Sequence, residues 1–321
     1  MATPEISVVV PSHDRPLRLR WLLNALEEQT LPPERWEVIV AHDSVGSDAD
    51  RELESHPLAR SGTLRVVRQR AGSAPPGANR NAGWRAARAP VIAFTDDDCR
   101  PPPGWLERAL ELARANPGSV IQGATLPDPL EIAMLHAAHW HTQRILPPSP
   151  YVEACNIVYP KDLLERVGGF DEKLHTGEDT DLFLRARATG ATLVPARDLL
   201  IYHAVVSLTL LEKLRSTRRW QDLPEVVRRH PSLRRDFTLW VFWKRTHAWL
   251  PVALLGAVLG RRRPLLALLA LPYLVHALPQ HGTDPRGRFR AVAELPAQTL
   301  VDLAEITALA KGSIRHRTFF L

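Results

Sequence analysis

Pro90-Val91-Ile92-Ala93-Phe94-Thr95-Asp96-Asp97-Asp98 is an apolar run that ends on three carboxylates. Bounded by Pro90 before it and Pro101-Pro102-Pro103 after it, the run reads as a short buried strand. Three adjacent acids at a strand's end repel one another. A bound divalent cation resolves the conflict, because hard cations take carboxylate oxygens as ligands and grip phosphates through them. The plain alternative is a solvated acidic turn.

The flanking sequence decides what kind of sheet this strand joins. Upstream, Ile6–Val10, Glu37–Ala41 and Leu64–Val67 are strand-like runs. Between them lie a helix after Asp14 and Pro16, with Leu19, Leu22, Leu23 and Leu26 on one face, and a second helix over 78–89 that follows the turn Gly72–Gly77. A helix over 104–115 comes after the acids. This β-α-β alternation predicts an α/β fold with an open, mostly parallel, Rossmann-like sheet flanked by helices. Such sheets bind ligands beyond the carboxyl ends of their strands, where Pro11–Asp14, Asp43 and Asp96–Asp98 all fall. Further on, a helix is expected around Glu131–Arg144 and a strand at Asn156–Tyr159. A short helix over 162–167 stops at Gly168-Gly169, another opens at Gly177, and strands follow at 192–194 and 199–202.

Composition divides the chain. Of 321 residues, 45% are hydrophobic and 24% charged, which excludes general disorder. Residues 1–207 carry 22 Lys and Arg against 27 Asp and Glu, whereas residues 208–321 carry 19 against 8. The expected division is therefore an α/β domain over 1–207 and a basic helical region over 208–321. Within that region, Ala248–Gly260 and Leu265–Leu278 are apolar stretches separated by Arg261-Arg262-Arg263, forming a hydrophobic hairpin over 237–279. Each is shorter than the roughly 20 residues that cross a bilayer, so the expectation is a re-entrant or interface-lying hairpin on an anionic membrane surface. A buried hairpin or a dimer interface is the alternative. An amphipathic helix is expected over 290–311, and Leu208–Trp220 is a basic helix candidate. Arginines beside Trp-rich apolar stretches suit lipid better than nucleic acid, which is not expected as a partner. Cys99 and Cys155, the only cysteines, form no CxxC pair and suit a reducing compartment. The start, Met1-Ala2-Thr3-Pro4-Glu5, lacks the features of a leader, so the expected location is cytoplasmic, held peripherally or monotopically at the inner membrane face.

Read in order, these segments resemble the family-2 inverting glycosyltransferases, which have the GT-A fold. Val8-Val9-Val10-Pro11-Ser12-His13-Asp14-Arg15 is similar to the family's opening motif beside the nucleotide, which implies donor contacts from Pro11, Ser12, Asp14 and Arg15. Val38-Ile39-Val40-Ala41-His42-Asp43 resembles the strand ending in paired aspartates; here His42 replaces the first, so only Asp43 is carried over as a base contact. Ala78-Asn79-Arg80-Asn81-Ala82-Gly83 resembles the helix start whose arginine, here Arg80, lies near base and phosphates. Asp96-Asp97-Asp98 matches the DxD motif, implying ribose contact by Asp96 and a metal on Asp98, with Asp96 also near the ion. Asp97, one residue out of phase, would point to the opposite side if the strand continued. Asn156 belongs to a block implying acceptor contact, Glu178-Asp179 to the block supplying the catalytic base, and His203 to a position that completes some family metal sites.

The chemistry supports these assignments independently. A nucleotide-sugar donor leaves as a diphosphate, whose growing charge Mg²⁺ or Mn²⁺ stabilises. An acceptor hydroxyl needs a base, and Asp179 is the candidate, with Glu178 orienting or contacting the acceptor. One base suffices for inversion, whereas retention needs a second carboxylate as nucleophile. Acids in a helix's first turn also have a plain structural reading. The expected function is metal-dependent, inverting transfer of a sugar to a glycan or lipid-linked acceptor, as in cell-envelope glycan synthesis. The alternatives are a nucleotidyltransferase and a non-catalytic, membrane-associated nucleotide-sugar binding protein. His136, His139 and His141 have spacings that suit no zinc pattern and are read instead as lining a sugar or acceptor pocket.

Overall fold

Val91–Thr95 lies inside an eight-stranded sheet. The protein is described by a computed structural model covering residues 3–72, 74–278 and 285–321. Met1 and Ala2, Ser73 of the Gly72–Gly77 turn and residue 279 of the expected hairpin lie outside the described residues. Two units are distinguished: residues 1–132 with 142–205, and residues 133–141 with 206–321.

The first unit runs β1 (Ile6–Ser12), α1 (Pro16–Glu27), β2 (Trp36–His42), α2 (Asp48–Ser55), α3 (Pro57–Arg60), β3 (Leu64–Arg68), α4 (Pro76–Ala86), β4 (Val91–Thr95), β5 (Cys99–Arg100), α5 (Trp105–Ala115) and β6 (Val120–Pro127). After β7 (Trp140–His141), which belongs to the second unit, come β8 (Asn156–Pro160), α6 (Lys161–Val167), α7 (Glu178–Ala188) and β9 (Leu193–His203). The sheet order is β3-β2-β1-β4-β8-β6-β9-β5. β3, β2, β1 and β4 run parallel to one another, as do β6 and β9. β8 runs antiparallel to β4 and β6, and β5 antiparallel to β9. The fold is thus GT-A-like α/β, parallel in its N-terminal half and mixed beyond β4.

Burial on both faces explains the continuous apolar strands. Val8 and Val10 of β1 pack with Leu19, Leu22, Leu23 and Leu26 of α1, while Val9 faces the other way with Trp84, Phe94, Leu163 and Leu182. α4 approaches β1 so closely that a Cβ at Gly83 would stand 2.4 Å from Val9 Cγ1.

Two expectations about this unit fail. No helix covers Glu131–Arg144; Pro129–His136 is a 3₁₀ helix, and Trp140–His141 pairs as β7 with β10 (Val206–Ser207). β6 was not legible, because Gln122, Gly123 and Thr125 break its apolar run. Gly123 is there for space: a Cβ would lie 2.3 Å from Asn156 Nδ2 and 2.5 Å from the Leu199 carbonyl oxygen.

The second unit is helical. It contains α8 (Leu210–Ser216), α9 (Leu223–Arg229), α10 (Arg245–Gly260), α11 (Leu271–Ala277) and α12 (Pro285–His316). α8 starts at a reciprocal Thr209–Glu212 capping box and gives way to a 3₁₀ turn at Thr217, short of the expected Trp220. The expected 290–311 helix is the middle of α12, which has 32 residues. The second apolar stretch is a 3₁₀ segment, Pro264–Ala270, leading into α11. Among the described residues no helix is long and apolar enough to cross a membrane.

Candidate active site

The acidic triplet forms the turn between β4 and β5. β4 stops at Thr95, the Cys99 amide donates to the Asp96 carbonyl, and Cys99 pairs with His203 at the end of β9. That pairing carries His203 to Asp98: Nε2 lies 3.4 Å from Asp98 Oδ1. The other ring nitrogen, Nδ1, is 2.8 Å from the Ala204 carbonyl oxygen. A carbonyl only accepts, so Nδ1 carries a proton toward it and Nε2 is turned toward the carboxylate. A ring nitrogen and a carboxylate oxygen facing one another need a proton or a cation between them. An imidazole fixed through Nδ1 by a carbonyl is also how metal-binding histidines are oriented. Cys99 completes a cluster with Asp98 and His203, but burial pushes its thiol well up, away from a thiolate ligand.

Asp97 corrects the alternation argument. Because the strand ends before it, its side chain stays in the site, buried, accepting from Ser12 Oγ at 2.8 Å with Arg15 Nη1 3.4 Å away. Burial and neighbouring Asp98 raise its carboxyl to about 7 against the opposing pull of Arg15 and Ser12. Arg15 also reaches Asp98 Oδ2 at 2.6 Å from a half-exposed position. It thereby spans both acids and stays accessible to an incoming phosphate.

Arg80 organises the other half. Buried on α4, it donates from Nη2 to Asp96 Oδ1 and from Nη1 to Glu178 Oε1, both at 2.8 Å, and lies over the Phe170 ring. Burial alone would lower its pKa, yet Asp96 and Glu178 raise it, so its charge is permanent. Glu178 is thus engaged as an anchor for Arg80. Its neighbour Asp179 accepts from the Ala154 and Thr180 amides at 3.2 and 2.8 Å. Burial and the Glu178 charge push the Asp179 carboxyl up to about 8, with Arg80 pulling the other way.

Asp43 sits buried at the end of β2, accepting from Asn79 Nδ2, His13 Nδ1 and the Ala74 amide. Burial would raise its carboxyl, but these donors hold it below the usual range. Pro11 stands in β1 opposite Ala41, and Asp14, at positive φ, accepts from the Val45 amide. His42 is buried and lies 3.2 Å from Asp50; burial lowers its pKa.

Asn156 does not face an acceptor. It is buried, donates from Nδ2 to the Ala124 and Leu199 carbonyls and accepts from Trp105 Nε1, which uses its capacity inside the sheet. Sequence reasoning missed Glu153, which accepts from Ser149 Oγ and Gln122 Nε2 and which burial raises. Its influence on Asp179 places it on that residue's side of the site. Nothing local distinguishes a glutamate in an irregular loop. His136, His139 and His141 belong to the second unit, and no metal cluster among the described residues includes them.

Comparison with known proteins identifies the family. A sequence model described as Glycosyl transferase family 2 matches residues 7–160, and one described as Glycosyl transferase family group 2 matches residues 91–279, more than half the chain. The chain belongs to glycosyl transferase family 2. This family-2 chain is 29% identical over 210 residues to the pre-mycofactocin glycosyltransferase of Mycobacterium tuberculosis, covering 59% of this chain and 40% of that relative's length. It is 26% identical over 207 residues to glycosyltransferase AglE of Haloferax volcanii, covering 62% and 67% of the two chains. It is also similar to the validoxylamine A glucosyltransferase of Streptomyces hygroscopicus subsp. limoneus, 27% identical over 279 residues, 76% of this chain and 60% of that one. Among solved structures, the mannosyltransferase PcManGT from Pyrobaculum calidifontis, in complex with GDP-Man and Mn²⁺, superposes with a TM-score of 0.57 at 19% identity, covering 99% of this chain and 88% of the other. At that identity the likeness shows the shared GT-A fold.

Proposed function

We propose that this family-2 protein is a metal-dependent, inverting glycosyltransferase that moves a hexosyl group from a nucleotide-sugar donor to an acceptor hydroxyl. The observation that carries the reading is Nε2 of His203, turned by the Nδ1 contact with the Ala204 carbonyl, facing Asp98 Oδ1 at 3.4 Å. Mixed N and O ligands on a short turn and a strand end suit Mg²⁺ or Mn²⁺. Asp98 and His203 would hold the ion, with Asp96 beside it. When bound, the ion supplies Lewis-acid stabilisation of the departing diphosphate. Charge agrees with this: among the described residues, the permanent cations bonded to Asp96, Asp97, Asp98 and Glu178 are Arg15 and Arg80.

The chain's own groups divide the remaining work. Pro11, Ser12, Asp14, Arg15 and Asp43 shape the nucleotide side, where Ser12 and Arg15 also hold Asp97 in place. Arg80 keeps Asp96 and Glu178 in fixed positions, so the donor side and the base side share one rigid guanidinium. Asp179 takes the acceptor proton. Its raised carboxyl, about 8, matches a base that must accept a proton near neutral pH. With Glu178 anchored on Arg80, proton transfer is assigned to Asp179 and no carboxylate is assigned as a nucleophile, which supports direct displacement and inversion. A non-catalytic binding protein would gain nothing from keeping a buried carboxylate at this cost in stability. The acceptor is proposed to be a glycan or glycolipid at the cytoplasmic face of the membrane.

The test is a thermal-shift panel of UDP-, GDP- and dTDP-sugars with and without Mn²⁺. One donor should raise the melting temperature only with the metal. If no nucleotide sugar stabilises the fold under either condition, the reading fails.

A further inference from the structure

α10 inverts the usual arrangement of a surface helix. Its inward stripe, Thr246, His247, Leu250, Ala253 and Gly256, is buried in the second unit. The opposite face is exposed and apolar: Leu254 is 51%, Leu255 54% and Val258 59% accessible. The returning strand of the hairpin continues the surface, with Leu265 81% and Val275 71% accessible. A water-facing helix carries its polar residues outward. Single monomers rarely expose a contiguous apolar patch beyond a few hundred Å².

The hairpin is a preformed body. A Cβ on Gly256 would stand 2.8 Å from Leu269 Cβ and 2.9 Å from the Leu266 carbonyl oxygen, so the two arms meet backbone to side chain. At the base, Lys244 Nζ and His247 Nε2 both bond Glu305 of α12, at 2.6 and 3.1 Å. The exposed leucines therefore stay outward without a refolding step.

Charge identifies what covers the face. Residues 237–283 contain Lys244, Arg245, Arg261, Arg262 and Arg263 and no acid. These cations bracket the apolar face: Lys244 precedes α10, Arg245 opens it, and three arginines form the tip beyond it. The 16 residues of α10 separate them by about 24 Å. A second copy of the chain seated on the same face would oppose arginine to arginine. A cavity of about 370 Å³ lies at the base, lined by Lys244, Arg245, Thr246, His276 and Gln298 among others. Thr246 is buried and its hydroxyl has no partner, while the start of α10 has no side-chain cap. Basic side chains, uncapped helix amides and an unused hydroxyl are the chemistry of a phosphate site. Asp302 also lines the cavity, but its oxygens already accept from Tyr273 and Gln298, and burial raises its carboxyl.

We propose that the hairpin of α10 and α11 docks flat on an anionic phospholipid bilayer, with lipid phosphates held at both ends, by Lys244 and Arg245 at the base and by Arg261–Arg263 at the tip. Insertion tip-first would carry three arginines into hydrocarbon, at a cost of roughly 2.5–3.5 kcal/mol each at the bilayer centre. Lying in the plane keeps every cation at headgroup level and buries the leucines in the acyl boundary.

The test uses the full chain with vesicles of phosphatidylcholine alone or mixed with phosphatidylglycerol. The protein should float with the mixed vesicles, and binding should fall at least tenfold on raising salt, on Leu254→Glu/Val258→Glu, or on Arg261→Ser/Arg262→Ser/Arg263→Ser. A fluorophore on Val258→Cys should enter hydrocarbon, while one on Arg262→Cys stays open to an aqueous quencher; the native cysteines are buried. Burial of both labels would overturn the flat geometry. Absence of flotation at low salt, or a dimer in sedimentation that Leu254→Glu/Val258→Glu dissociates, would overturn lipid as the occupant. Nucleotide-sugar binding measured in parallel separates this outcome from failure of the transfer reading.

Discussion

Asp179→Asn should make the protein more stable and nearly inactive at once. The wild-type carboxyl is raised from its ordinary 3.8 to about 8, chiefly by burial. Between these values the folded state keeps a proton that the unfolded chain has released, so wild-type stability falls as pH rises through that window. Tenfold in proton affinity is about 1.4 kcal/mol, so the whole difference bounds the penalty at about 4 kcal/mol at pH 7 once protonation of the folded form is allowed for. Partial solvent access reduces this, and so does the amide itself, whose single oxygen can accept from only one of the Ala154 and Thr180 amides that now bond separate carboxylate oxygens; roughly 1–2 kcal/mol is the expected gain. For a domain of this size that is about 3–6 °C in melting temperature. The gain should grow between pH 5.5 and 8.5, measured by differential scanning fluorimetry on both proteins. Transfer should fall by on the order of 10²-fold or more, with donor affinity retained. A stability difference that is flat with pH, or an Asn variant less stable at pH 8.5, would refute the assignment of the raised carboxyl to Asp179.

Other perturbations address the rest of the site. Arg80→Ala strands Asp96 and Glu178 without their partner and should destabilise by about 3–5 kcal/mol in chemical denaturation, far more than Arg80→Lys. Asn156→Leu leaves two carbonyls and the Trp105 N–H unpaired, at about 1–3 kcal/mol each; little folded protein should be recovered, as a structural rather than an acceptor-binding residue requires. The wild-type pH profile of kcat/KM should show an acid limb, activity rising as pH climbs toward 8, because the protonated form of Asp179 cannot act as base. Asp97→Asn should keep the Ser12 bond and retain Mn²⁺-dependent donor binding in calorimetry, whereas His203→Ala should lose it while melting normally.

What the sequence disclosed was local or periodic. The leucines of α1 fell every three or four residues, and Gly168 at positive φ ends α6 where a glycine stop was expected. The acids at the end of β4 were visible because they follow an unbroken apolar run. What stayed hidden depends on partners distant in the chain. β6 is a strand because Asn156 and β9 complete its hydrogen bonds, although its own residues lack a strand pattern. Asp97 stays in the site because β4 ends at Thr95, so strand alternation does not reach it, and Ser12, 85 residues away, holds it. Glu178 reads as a helix-start acid, yet its position is set by Arg80, 98 residues away. Residue identity along the chain carries no record of such pairings.

Titration calorimetry of UDP and GDP, with and without Mn²⁺, on the wild type and on Asp98→Asn tests the central claim most directly. Asp98 and His203 as the metal-holding pair predict that one nucleotide binds the wild type only with Mn²⁺ and that Asp98→Asn weakens it at least tenfold. Equal affinity with and without the metal, or an Asp98→Asn variant that binds like the wild type, would contradict it.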